Sequence, residues 1–249
     1  MSLSPPNDPP QGWTVPTRLL DLDDPKLRIQ ALRITQLATT DIQKAVLIHD
    51  FVKAMPFGCV AGFDHVTAAG VLKAGRGDCH TKGTLFVALL RSVGVAARLR
   101  FVTLPSAFLK GIIDVPNGTI THAIGEVYLD GCWLQTDTYV TDSLLEAHAV
   151  ELLGSQQSHV GYGIHVRGSH FWDAQHSAYA QYHPSDAASL PIHDWGVAHD
   201  PEHFYRDAAH EDLQRGWLTR VKWMLAAALV NRRVEQVRTQ SGPLARQPG

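Results

Sequence analysis

Three cysteines, Cys59, Cys79 and Cys132, are all that the 249 residues contain. No two of them form a CxxC pair, so neither a zinc ribbon nor a thioredoxin-type redox motif is encoded, and the odd count leaves a free thiol. HExxH is absent, and Gly161-x-Gly163 does not complete a dinucleotide fingerprint. Charge of either sign is sparse in excess: the formal net charge is −2, which offers no basic surplus to draw the chain to nucleic acid or an acidic membrane. The longest apolar candidate, VKWMLAAALV, is too short to span a bilayer and is followed closely by Arg232. The opening MSLSPPNDPPQG lacks the basic segment and apolar run of a signal peptide. With so few thiols, a reducing cytoplasm is the expected compartment.

What is present is an ordinary globular balance, 45% apolar and 18% charged residues, enough for a buried core. Residues 1–16 read as a proline-rich arm. Asp24 to Ala38 and the stretch from a cap at Asp41 to Ala54 carry helical spacing, with Leu27, Ile29, Leu32, Ile34 and Leu37 as the apolar positions of the first. In GRGDCHTKGTLFVALLRSVG, Gly75 and Gly77 make a turn. A helix then runs from Cys79 to Ser92, with Gly94 as its stop. A strand follows in VAARLRFVTL, then a loop through Pro116, Asn117 and Gly118. Beyond about Ser143 the pattern is less regular until a long helix from about Tyr205 to Val237, where Trp217, Trp223, Met224 and Leu225 serve packing or an oligomer surface.

The segment THAIGEVYLDGCWLQTDTYV holds the sharpest geometric information. Asp130-Gly131 between two alternating runs is a two-residue hairpin turn. Counting outward, Leu129 faces Cys132, Val127 faces Leu134, Gly125 faces Thr136 and Ile124 faces Asp137. Residues two apart on a strand share a face, so His122 and Asp137 become diagonal neighbours, about 5.5–8 Å apart at Cα or Cβ. The other face, with Ala123, Val127, Leu129 and Leu134, is expected to pack into the core, and Cys132 with it.

A cysteine at a helix N-terminus, an imidazole and a carboxylate are the parts of a thiol nucleophile. The exposed N–H groups and helix dipole favour a thiolate at Cys79. His122 can carry the proton, and Asp137 can fix its tautomer. Asp78 opposes the thiolate and is expected to turn away and cap the helix. The backbone N–H of Cys79 is a candidate oxyanion donor. Trp13 and Gln43 each own a further donor upstream.

GRGDCHTKGTLFVALLRSVGVAARLR followed by HAIGEVYLDGCWLQTD resembles the transglutaminase-like core, a branch of the papain-like cysteine enzymes. The resemblance runs from about Ile42 to Asp142 and departs from the family at Ile124, where an aromatic is frequent. It implies an α+β fold, with the nucleophile at a helix N-terminus packed on an antiparallel sheet. It also implies thioester chemistry on an amide, with Cys79, His122 and Asp137 as the catalytic residues. On this reading residues 17–142 are the catalytic core, and residues 143–249 are a loop-rich extension packed on it, ending in a long helix. Neither cofactor nor metal is called for. The expected partner is a peptide, protein or small amide substrate, with no role for nucleic acid or membrane. Water is slightly favoured over an amine as acceptor.

Two other functions stand beside this one. The first is an inactive peptide-binding module of the same fold. The second is a metal-dependent hydrolase using the second half, where ten of the 14 histidines lie between His148 and His210. His199 and His203 form only one i, i+4 pair there, interrupted by Pro201.

Overall fold

The computed structural model describes residues 10–62, 65–113, 115, 118–206 and 217–239, with side chains from 227 onward in the last of these. Four helices come first: α1 (Pro25–Thr35), α2 (Asp41–Ala54), α3 (Ala68–Ala74) and α4 (Cys79–Ser92). Strands β1 (Ala97–Pro105), β2 (Thr119–Leu129) and β3 (Cys132–Thr136) follow, then α5 (Ser143–Ser155). The short β4 (Val160–Gly161) and β5 (Ile164–His165) pair with each other. β6 (His193–Ala198), α6 (Pro201–Arg206) and α7 (Trp217–Thr239) complete the chain. This is the expected α+β arrangement of helices on an antiparallel sheet, ordered β3-β2-β1-β6. The last strand comes from the second half of the chain, so that half adds an edge to the main sheet.

Local chemistry sets the helix ends. Asp24 caps α1 by accepting from the N–H groups of Lys26 and Leu27, with Pro25 at the first helical position. Thr40, not Asp41, caps α2: its hydroxyl takes the Gln43 N–H, and Asp41 falls into the first turn, where a carboxylate suits the dipole. α4 is buried on every side from Thr81 to Arg91, which makes it the central helix. α1 buries Leu27, Ala31 and Thr35, leaving Ile29, Leu32 and Leu37 exposed. The apolar spacing of that segment therefore marks the buried side only in part: Leu27 joins the core and Ile34 packs against it.

The hairpin adopts the register that its turn dictates, Leu129 opposite Cys132 through Gly125 opposite Thr136. Asp130 and Gly131 both take positive φ, 48° and 86°, as a two-residue turn of this kind needs. Two expectations for the hairpin fail. Cys132 is exposed beside the turn rather than packed, although Leu129 opposite it is buried. The face with His122 is as dry as its opposite: His122, Ile124 and Glu126 are buried like Ala123 and Val127, while Leu134 is only half-buried. Glu126 survives there by accepting from Arg98, Arg100 and Gln135, and the Arg98 guanidinium packs on the rings of Trp13 and Trp133. Of the long helix expected from about Tyr205 to Val237, the described parts are α6, to Arg206, and α7, from Trp217; residues 207–216 lie outside the described residues. The packing expected of Trp217, Trp223, Met224 and Leu225 lies outside the described side chains.

α4 meets the sheet at Gly125, where an added Cβ would come within 2.8 Å of the Phe86 ring and 3.1 Å of the Tyr139 ring. Those rings stack with centroids 4.6 Å apart and have no room to yield. Gly125→Ala is therefore expected to destabilise the fold by about 1–3 kcal/mol, read as a lowered urea midpoint.

Candidate active site

Asp78 caps α4 reciprocally: its carboxylate accepts from the Thr81 N–H at 2.9 Å, and the Asp78 N–H donates to the Thr81 hydroxyl at 2.9 Å. The carboxylate is thereby turned along the helix, and Cys79 takes the first helical position. The turn before it is held by a strap. Gly58 N–H donates to Gly77 O, and Gly77 N–H to Pro56 O. An added Cβ on Gly77 would lie 2.6 Å from the Thr81 hydroxyl oxygen and 2.8 Å from Lys82 Cγ, so the turn requires glycine. The strap is gripped by α7. Asn231 accepts from Cys59 N–H at 2.7 Å and donates to Cys59 O at 3.0 Å, and Arg238 pairs with Asp142, whose carboxylate also takes the Phe57 N–H.

His122 and Asp137 are fully buried, with Nε2 of the imidazole 3.0 Å from Asp137 Oδ2. An ionised carboxylate only accepts, so Nε2 carries the proton. The other ring nitrogen, Nδ1, is buried and has no hydrogen-bond partner. The second oxygen of Asp137 accepts from the Ala180 N–H at 2.6 Å. Asp137 N–H in turn donates to Ala178 O, so the segment around residues 178–180 fixes the carboxylate from outside the hairpin.

The sulfur of Cys79 reaches the same strand. Tyr128 N–H donates to Ala96 O on the β1 side. Because N–H directions alternate along a strand, the odd-numbered residues of β2 turn theirs toward β3. β3 ends at Thr136, opposite Gly125, so the next odd residue, Ala123, meets no strand on that side. Its backbone bonds to the Cys79 thiol, as does the backbone of His80. The sulfur is thus one residue along the chain from His122.

These two bonds pull the thiol toward ionisation. Burial, the largest cause, pushes it well above the usual range, with Asp78 and then Asp137 adding to the rise. Cys79 is half-buried as a residue, yet its sulfur is desolvated enough for burial to dominate. The thiolate expected from the helix position alone is not the favoured resting form. Tyr139, its hydroxyl raised by burial and then by Asp137 and Cys79, fills the space between α4 and β2. His80 is wedged in rather than displayed: its Nε2 sits 3.2 Å from Thr121 O, and its ring stacks on Phe101 and meets Tyr205 edge-on.

Neither upstream donor reaches this place. Trp13 lies against Arg91 and bonds through its carbonyl to Ala97 N–H, at the far end of α4. Gln43 accepts from Thr39 at the start of α2, whereas the strap follows that helix's last turn. Cys59 is half-buried on the strap. Among the described residues, no group of three or more His, Cys, Asp or Glu side chains is arranged to hold a metal ion, and no helix is long and apolar enough to cross a membrane.

Residues 29–138 match the family model of the transglutaminase-like superfamily. No curated protein matches the chain. Among solved structures, a candidate cysteine protease from Cytophaga hutchinsonii aligns with TM-score 0.39 and 21% identity, over 49% of this chain and 39% of that one. A candidate protease from Parabacteroides distasonis aligns with TM-score 0.34 and 15% identity, over 47% of this chain and 25% of that one. The chain therefore spans well under half the length of either.

The raised thiol has a thermodynamic consequence. Above an ordinary thiol pKa of about 8.5, the unfolded chain releases the Cys79 proton while the folded chain keeps it. The folded state then binds more protons, and stability falls as pH rises. Between about pH 8 and pH 10, urea unfolding should show a steeper loss of stability for the native chain than for Cys79→Ser. Parallel slopes would place the sulfur in water.

Proposed function

We propose that this chain, which carries a transglutaminase-like core, is a cysteine-nucleophile enzyme acting on an amide or peptide bond through a thioester. The observation that carries this reading is the polarity of the His122 ring. Asp137 takes Nε2–H in a dry pair, Nδ1 is left without a partner, and the Cys79 sulfur sits on the neighbouring N–H of the same strand.

The steps follow from those positions. Cys79 attacks the carbonyl carbon as its proton passes to Nδ1 of His122. Because burial favours the neutral thiol, deprotonation accompanies attack instead of preceding it as a stable ion pair. Asp137 steadies the imidazolium so formed and prevents the ring from turning. The N–H of Cys79 at the helix start faces the developing oxyanion. The tetrahedral adduct collapses, the C–N bond breaks, and the proton on His122 goes to the leaving amine. Water then attacks the thioester, His122 takes its proton, and the thiol is restored. An amine in place of water would make the chain a transamidase. That route needs a site which excludes water, so hydrolysis is the simpler outcome.

A second reading, an inactive peptide-binding module of the same fold, draws support from the upward push on the Cys79 thiol. The two readings part in a screen of amide and peptide substrates with mass-spectrometric trapping of an acyl group on Cys79. For the enzyme, Cys79→Ala abolishes turnover at unchanged melting temperature. Asp137→Asn keeps substrate binding but slows turnover by about 10⁴-fold. Full activity in Cys79→Ala would end the proposal.

A further inference from the structure

Lys82 lies one turn along α4 from Cys79, and its side chain is wholly buried. The ammonium donates to Met55 O at 2.9 Å and to Val140 O at 2.9 Å. Its nearest helpful charge, Asp142, is bonded to Arg238 and the Phe57 N–H. Burial pushes the ammonium well below the usual lysine range, with Lys53 and Arg238 opposing the charge as well. A buried amine served only by carbonyls is costly to strip of water, and methionine would fill the same length without that cost. The lysine is therefore best explained by what it joins.

Met55 opens the strap that holds the turn before Cys79, and Val140 stands three residues after Asp137. A single side chain on the nucleophile's own helix ties both. Lys53 reinforces the second tie from α2, donating to Thr138 O and Thr141 O with Glu146 as its ion partner. We propose that Lys82 is a positioning residue that keys the Cys79 helix to the Asp137 loop and so sets the reach between the sulfur and His122. This rests on the acyl-transfer reading above.

The test uses the full chain with Cys59→Ser and Cys132→Ser, so that Cys79 is the only thiol. The rate of its alkylation by iodoacetamide is followed from about pH 5 to about pH 9, beside the thermal melt. In this background His122→Ala should lower the neutral-pH rate by about 100-fold. Lys82→Met should stay folded, lose about 10-fold and show a correspondingly smaller pH limb from His122. The double variant should fall no further than His122→Ala alone, within about 2-fold. A purely structural lysine would change the melt but leave the pH profile intact. An unchanged profile in folded Lys82→Met, or losses that simply multiply in the double variant, overturns the positioning role and leaves the Cys–His reading standing. If His122→Ala itself has no effect, the acyl-transfer reading fails and this inference with it. Should Lys82→Met not fold, Lys82→Leu, which also removes the donor, is judged by the same criteria.

Discussion

A carboxylate removed from water must have its oxygens bonded, or it will take up a proton or pull the fold apart. Asp137 is such a group, and its two bonds organise the molecule around it. One oxygen takes the His122 imidazole and the other takes the Ala180 N–H. The first bond fixes the orientation of the His122 ring. The second recruits a segment more than forty residues away to lie along the hairpin edge. That segment is anchored in turn, since His165 N–H donates to Ala180 O and buried His165 bonds Asp186. The second half of the chain is thus tied to the site through the acid and not merely through apolar contact.

The same logic explains which parts of the chain were legible in sequence. The helix that begins at Cys79 declared itself because its signals are local: two turn glycines, a capping aspartate and an apolar run that ends at Gly94. The hairpin did so because Asp130-Gly131 fixes a register and the register fixes every pairing. β6 was not legible. HDWGVA reads as a loop, and it becomes a strand only because β1 offers an open edge, with a register shift at Phe101 and Val102 absorbing the mismatch. The burial of the His122 face was hidden for a related reason. Alternation of polar and apolar residues means one wet face only where nothing covers it, and here buried ion pairs around Glu126 let a polar face be covered.

The site divides in the same way. His122 and Asp137 could be placed on one face by counting. The N–H of Ala123 could have been found by the same counting, since it is the first donor of β2 beyond the end of β3. Lys82 could not. A lysine in an otherwise apolar helix reads as a solvent contact, and nothing local says that its ammonium will meet Met55 and Val140. Its role comes from tertiary geometry, where the chain leaves the sheet after β3 and loses its ladder partners.

That departure accounts for the composition of the stretch from Thr136 to Asp142, which looks like a surface loop and is buried throughout. Backbone that is neither helix nor strand keeps its demand for hydrogen bonds inside a protein. The carbonyls of Thr138, Val140 and Thr141 are met by two lysines. The hydroxyls are ordered from the other side. Burial holds His49 neutral, and its Nδ1–H points to Asp50, so Nε2 must accept from the Thr138 hydroxyl, which then accepts from Thr136. Each proton in this chain has one place to go. A loop so specified cannot drift, and a carboxylate at its head inherits that rigidity. Polar side chains that would be a liability in an ordinary core here convert an irregular turn into a fixed support for one imidazole.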